Sequence, residues 1–249
     1  MNETLKLLNE RKSVRDYAQK EITKEEKRAI FEAAVQAPTA GNMTLYTILD
    51  ITDQSMKDRL AVTCDNQPFI AKAPMVLVFC ADYRRWIEVF EKCDTNIRKP
   101  EEGDMLLAQA DAIIAAQSAV IAAESMGIGS CYIGDIIENF ELHQELLKLP
   151  DYVVPACMVC FGYPTEQQKT RQKPTRFQVE SIVHENGYQV EKADAAAMEE
   201  MLNLRQGDWG QDSLADWVRR FCKRKWNSEF SVEMSRSARE MIKAWCGRE

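Results

Sequence analysis

The chain has 249 residues, 45% hydrophobic, 29% charged and 8% aromatic, with a formal charge of −7. Those fractions describe a globular protein long enough for a sizeable core, and exclude a disordered or disulfide-dense one. The acidic balance argues against broad nucleic-acid binding.

Thr4–Asn9 reads as a short helix with Leu5 and Leu8 on one side, and the basic run Arg11-Lys12-Ser13-Val14-Arg15 follows it. Thr23-Lys24-Glu25-Glu26 is a capping box opening a helix to about Gln36, with Ile30, Phe31, Ala34 and Val35 as its inner face. Proline, glycine and asparagine make Ala37–Asn42 a loop. Tyr46–Thr52 is a strand by its β-branched and aromatic content, and Gln54–Thr63 a helix. The unbroken apolar run Met75–Ala81 predicts a strand buried on both faces.

An alanine-rich helix over 104–126 ends at Gly127, the favoured helix terminator. Asp111 and Glu124 interrupt its apolar stretch, so we expect a buried helix and no membrane span. Gly127–Gly134 is extended, Phe140–Leu147 a helix, and Pro155–Phe161 another core strand. Many helices, few strands and no regular βαβ alternation indicate an α+β fold.

Tyr163–Thr175 turns polar and basic, with Lys169, Arg171 and Lys173. Beyond Tyr188 the chain reads as helical again and carries Trp209, Trp217, Trp226 and Trp245. Residues 218–249 hold nine Lys/Arg against four Asp/Glu, a local +5 that reads as a solvated, self-docking extension. The eight cysteines lie mostly in apolar runs, and the charged opening Met1–Arg15 has no signal-peptide core. Reduced thiols and a cytoplasmic location are therefore expected.

Two basic sets stand out. Arg11, Ser13 and Arg15 alternate, so in an extended segment their side chains share one direction and could converge on a phosphate. Lys169, Arg171, Lys173 and Arg176 form the second set. Gly127, Gly129 and Gly134 follow a helix instead of opening one, which excludes a dinucleotide-binding fingerprint and suggests close backbone approach to a flat ligand. Cys157 and Cys160 form a C-x-x-C inside a strand, where they face opposite sides of the sheet and read as core. His143 is expected on an exposed helix face and His184 in a loop, so neither completes a triad or a metal site. Chemistry without an evident acid, base or metal points to an organic cofactor.

Glu10–Tyr17, Ala37–Met43, Gln67, Ala123–Gly129, Tyr132-Ile133-Gly134, Phe161–Pro164, Lys173-Pro174…Arg176 and Val183–Tyr188 together resemble the FMN-dependent nitroreductase family. Within it they are most similar to the oxygen-insensitive branch that includes flavin reductases of luminous bacteria. The resemblance implies a central, mostly antiparallel sheet flanked by helices in an intertwined homodimer. It further implies an FMN-binding core over 1–190 and a helical extension over 191–249 that packs on the core or the partner subunit. Arg11, Lys12, Ser13 and Arg15 would hold the FMN phosphate and ribityl end, with Lys173 and Arg176 closing on the phosphate. Thr39, Ala40, Gly41, Asn42, Met43 and Gln67 would line one side of the flavin ring, and Tyr132, Ile133 and Gly134 the other. No side chain need be catalytic: NADPH or NADH would reduce the flavin and leave, and a small aromatic acceptor (nitroaromatic, quinone or free flavin) would then take the electrons. Arg205 falls where relatives read the NADPH 2′-phosphate. Two positions depart from the family's pattern: Thr175 lengthens the lysine-proline-arginine run, and Asp135 replaces a second glycine. A specialised flavin chemistry, or a non-enzymatic flavin-binding or redox-sensing protein, is the alternative.

Overall fold

A computed structural model describes residues 1–93, 96–205 and 212–247; Trp209 lies outside them. The elements in chain order are α1 (Glu3–Glu10), α2 (Lys24–Val35), β1 (Tyr46–Asp50), α3 (Gln54–Thr63), α4 (Pro68–Lys72), β2 (Met75–Asp82), α5 (Arg84–Lys92) and α6 (Glu102–Ser125). There follow β3 (Gly129–Ile133), α7 (Phe140–Leu147), β4 (Val153–Gly162), α8 (Glu166–Thr170), α9 (Val179–Ile182), α10 (Ala195–Asn203), α11 (Leu214–Lys225) and α12 (Glu229–Cys246). Two compact units divide the chain: Met1–Arg171 with Val232–Glu249, and Gln172–Ser231.

The sheet has the order β1-β2-β4-β3 with every neighbouring pair antiparallel. All residues of β2 and β4 are buried, because helices cover both faces. Met75, Leu77, Phe79, Val159 and Phe161 pack under α2 and α6, while Val76, Val78, Cys80 and Met158 pack under α3 and α4. Strand periodicity thereby sends Cys157 to the first layer and Cys160 to the second, as the C-x-x-C spacing requires. Pro155 lies in the interior of β4 beside a register shift at Phe79/Cys80, a bulge of the kind that accommodates proline's missing N–H. The start of α2 carries the expected capping box, Glu26 N–H donating to Thr23 Oγ1 at 3.1 Å and Thr23 N–H to Glu26 Oε2 at 2.8 Å.

Helix α6 stops where expected, with Gly127 at φ +75° and Ile128 N–H donating to the Ala123 carbonyl at 2.9 Å. It is long and apolar enough to cross a membrane by length and composition alone. Here its alanine face, from Met105 through Ala108, Ala112, Ala115 and Ala119 to Ala123, packs on the sheet. Its other face is not buried as expected: Leu106 is 66% exposed, and Leu107, Ile113 and Ile114 are exposed beside it. Helix α12 closes one end of the sheet through Met241 and Trp245, whose indole meets the rings of Tyr83 and Tyr152 edge-on.

Two further expectations fail. Val35 is 58% exposed, because α2 buries Ile30 and Ala34 and turns Val35 outward at its last residue. His143 is wholly buried, since α7 points Phe140, His143 and Leu146 inward together. Its Nδ1 meets the Ile136 carbonyl at 3.0 Å and its Nε2 meets Thr63 Oγ1 at 2.8 Å. Burial lowers its pKa and keeps the ring neutral, so it is a satisfied core histidine.

Candidate flavin site

The segment between α1 and α2 is extended and lies across the ends of β3 and β4. Ser13 forms a parallel bridge with Ser130, Tyr17 an antiparallel one with Pro164, and Val14 N–H donates to the Ser130 carbonyl at 2.9 Å. Two glycines paired across the strands, Gly129 and Gly162, make room for it. A Cβ on Gly129 would stand 2.5 Å from Val14 Cγ2, and one on Gly162 would stand 2.4 Å from Tyr17 Cδ1. The Gly129 signal in the sequence was therefore close approach of the chain itself, not of a ligand.

With Val14 buried against Gly129, the residues on either side turn the other way. Ser13 and Arg15 reach the Cys131 thiol, and the charge of Arg11 acts on it too. Burial raises that thiol's pKa, and charge from Arg15, a hydrogen bond from Ser13 and charge from Arg11 each oppose the rise. The alternation thus places the charges of Arg11 and Arg15 within reach of one thiol, while Arg11 and Arg15 line different cavities. Arg15 is held with its guanidinium 5.8 Å from the centre of the Phe69 ring. Arg11 faces Glu124 at 3.8 Å and opens on a cavity of ≈ 580 Å³ lined also by Leu7, Val14 and Gly129.

Lys12 points elsewhere. Its Nζ donates to the Lys169 carbonyl at 2.7 Å and to the Arg171 carbonyl. Arg171 in turn donates to the Ser13 carbonyl at 2.5 Å, so part of the second basic set does reach the first. Lys173 and Arg176 belong to the other compact unit, where Arg176 donates to the Pro174 carbonyl at 3.2 Å. Arg205 is in that unit too, with its guanidinium 5.2 Å from the Phe177 ring centre.

Thr39–Met43 forms a tight turn in which Gly41, Asn42 and nearby Thr44 all adopt positive φ (56°, 59° and 52°). Such backbone requires outside support. Asp111 supplies it from within α6: it is 3% exposed and accepts from Thr39 Oγ1, from Ala40 N–H at 3.1 Å and from Leu45 N–H at 3.3 Å. Trp86 Nε1 adds a hydrogen bond to the Met43 carbonyl at 2.7 Å. Asp111 is the organising residue that the sequence reading used only to reject a membrane span. A lone carboxylate in an alanine-rich helix was the signal.

Gln67 precedes α4 and follows two more left-handed residues, Asp65 and Asn66. Its Nε2 donates to the Cys64 carbonyl at 2.9 Å and to Asp135 Oδ2 at 3.0 Å. Of the Tyr132-Ile133-Gly134 trio, Tyr132 turns toward α6 and donates to Gln117 Oε1 at 3.2 Å, and Ile133 is buried in the second layer. Gly134 alone is exposed. Asp135, next to it, thus ties this segment to Gln67. The residues present fit a phosphorylated, planar group: a cationic corner for the phosphate, and rigid, largely uncharged loops. Among the described residues no His, Cys, Asp and Glu cluster could hold a metal.

A model of the nitroreductase family matches residues 8–163. The oxygen-insensitive NADPH nitroreductase of Salmonella typhimurium is 32% identical over 225 residues, which cover 88% of this chain and 91% of that protein. The FMN reductase (NADPH) of Bacillus subtilis is 33% identical over 196 residues, 78% of each chain. Among solved structures, the NADPH:FMN oxidoreductase of Vibrio harveyi complexed with NAD+ aligns with a TM-score of 0.77 at 25% identity, covering 96% of this chain and 98% of that one. The NfrA1 nitroreductase of B. subtilis aligns with a TM-score of 0.78 at 27% identity, covering 94% and 98%.

Proposed function

The chain belongs to the nitroreductase family, and on that premise we propose that it is an FMN-dependent oxidoreductase that takes electrons from NAD(P)H. It passes them to a nitroaromatic, a quinone or free flavin. The observation that supports this reading is that Arg11, Ser13 and Arg15 all act on the Cys131 thiol and that Arg171 is held at the Ser13 carbonyl, a local concentration of cations in an acidic protein.

When bound, FMN supplies the two-electron chemistry, and the protein supplies position. Arg11 and Arg15 neutralise the phosphate with charge-assisted hydrogen bonds, and Ser13 adds a hydroxyl. Lys12 acts indirectly, by pinning the 169–171 backbone beneath that corner. The turn Thr39–Met43, fixed by Asp111, presents backbone to one face of the ring system, and Gln67 presents its amide. Ile133 and Tyr132 hold Gly134 in place by packing their own side chains into the fold, so contact with a bound ring would run through the Gly134 backbone. Donor and acceptor would use the bound flavin in turn, which predicts ping-pong kinetics. Arg205 would meet the 2′-phosphate of NADPH.

The exposed stripe Leu106, Leu107, Ile113 and Ile114 on α6 is covered by a second copy of the chain, as an apolar patch of this kind demands. All eight cysteines are free thiols, which supports a reducing, cytoplasmic setting. The test is steady-state oxidation of NADPH and NADH by the purified yellow protein with menadione or nitrofurazone. Parallel-line kinetics are expected; a flavin-loaded protein that turns over neither acceptor would support the non-enzymatic alternative.

A further inference from the structure

The cavity between α1 and the C-terminal end of α6 is left without a role by the flavin reading, which uses only Arg11 from its wall. It measures ≈ 580 Å³, inside the roughly 300–1,000 Å³ range of small-molecule sites. The space exists because α1 packs loosely. None of its residues is buried; Leu7, which lines the cavity, is half-buried, while Leu5 and Leu8 are exposed. Across from it, α6 ends at Gly127, where a Cβ would meet no atom within 4 Å. Val14, Ile121 and Pro164 complete an apolar lining.

Two groups set the polarity of this space. Arg11 Nε and Glu124 Oε1 stand 3.8 Å apart, and the two side chains remain 19% and 16% exposed. N–H···O bonds close at about 2.7–3.2 Å, so this contact is an ion pair without a hydrogen bond, and Arg11 Nε meets no hydrogen-bonding partner. The nearby lysines are engaged elsewhere, Lys12 on the Lys169 and Arg171 carbonyls and Lys169 on Glu166 at 2.6 Å. A molecule entering the cavity therefore meets one donor and one acceptor side by side. An anion would reach Arg11 only against the charge of Glu124, and a cation would reach Glu124 only against that of Arg11. A neutral group with a C=O beside an N–H satisfies both.

We propose that this cavity is a second ligand site, for a neutral, planar carboxamide on an apolar body. The carboxamide oxygen accepts from the Arg11 guanidinium and its N–H donates to the Glu124 carboxylate. The apolar body lies on Leu7, Val14 and Ile121. The site is distinct from the flavin ring, because neither Gln67, Gly134 nor the Thr39–Met43 turn lines it. Binding here is non-covalent and leaves the electron-transfer chemistry to the flavin.

The test uses the full-length protein as purified and three probes of one shape and different charge: benzamide, benzoate and benzamidine. Isothermal titration is expected to give saturable binding of benzamide, at least about tenfold tighter than either charged probe, with the flavin absorption bands unmoved. Leu7→Trp fills the cavity from a helix that contributes nothing to the core, so it should weaken benzamide at least about tenfold while Tm and bound flavin stay as in wild type. Glu124→Gln removes the charge that opposes an anion, and benzoate should then bind as tightly as benzamide or tighter. Equal affinities for the three probes in wild type, or no saturable binding of benzamide, would overturn the proposal. So would benzamide binding that survives Leu7→Trp or shifts the flavin bands, since either places the probe at the flavin instead. If Glu124→Gln does not fold, the probe series on wild type and Leu7→Trp decides.

Discussion

Gly129→Ala probes how the fold builds the phosphate corner. The new Cβ would sit 2.5 Å from Val14 Cγ2, 2.9 Å from Val14 Cβ and 3.3 Å from Val14 Cγ1. Carbon–carbon contact prefers about 3.5–4.0 Å, so the segment must retreat by roughly 1 Å. Val14 is 4% exposed and has no free volume to move into. Overpacking of this kind costs about 1–3 kcal/mol, equivalent to a fall in Tm of about 2–12 °C for a chain of this size. The same retreat withdraws Ser13 and Arg15 from the corner. Loss of one charge-assisted hydrogen bond of about 1.5–3 kcal/mol weakens FMN binding roughly 10- to 100-fold. Differential scanning fluorimetry gives the first quantity and quenching of flavin fluorescence at fixed salt gives the second. Val14→Ala in the same chain removes the two nearest methyl groups and should restore part of both losses. An unchanged Tm and Kd in Gly129→Ala, or a double variant worse than the sum of its parts, would refute the packing argument.

Arg11→Ala with Arg15→Ala should lose FMN on desalting while the far-ultraviolet CD spectrum stays native; a retained yellow colour would move the phosphate elsewhere. Asp111→Ala leaves the Ala40 and Leu45 N–H groups without their acceptor, and at about 1.5–3 kcal/mol per charged hydrogen bond it should lower Tm by about 6 °C or more and loosen FMN; a Tm within 1–2 °C of wild type, on that same scale, would show the turn holds itself. Leu106→Glu with Ile113→Glu should convert a dimer to a monomer in analytical ultracentrifugation, and an unaltered sedimentation coefficient would place the interface on another face. Arg205→Ala should raise KM for NADPH several-fold and leave KM for NADH unchanged; equal effects on both would exclude a 2′-phosphate contact.

Much of this was legible in the chain because it depends on local periodicity. The ends of Gln54–Thr63 and Phe140–Leu147 follow from spacing and flanking residues, and the observed helices match them. The alternation of Arg11, Ser13 and Arg15 reads directly as one side of an extended segment, and all three act on the Cys131 thiol. What escaped depends on contacts distant in sequence. His143 has the neighbours of an exposed helical residue, and only the arrival of Thr63 and Ile136 makes its burial possible. Asp111 looked like a flaw in an apolar helix until the turn at 39–45, some 70 residues away in the chain, was seen to hang from it. Gly129 signalled a close approach correctly, but a single sequence cannot say that Val14 is the visitor.

The most direct test of the account is an anaerobic titration of the purified protein, followed by its visible spectrum. The account predicts one FMN per chain, bleached by one equivalent of NAD(P)H and restored by one equivalent of menadione. A colourless protein that takes up no added FMN, or a bound flavin that NAD(P)H does not bleach, would contradict it.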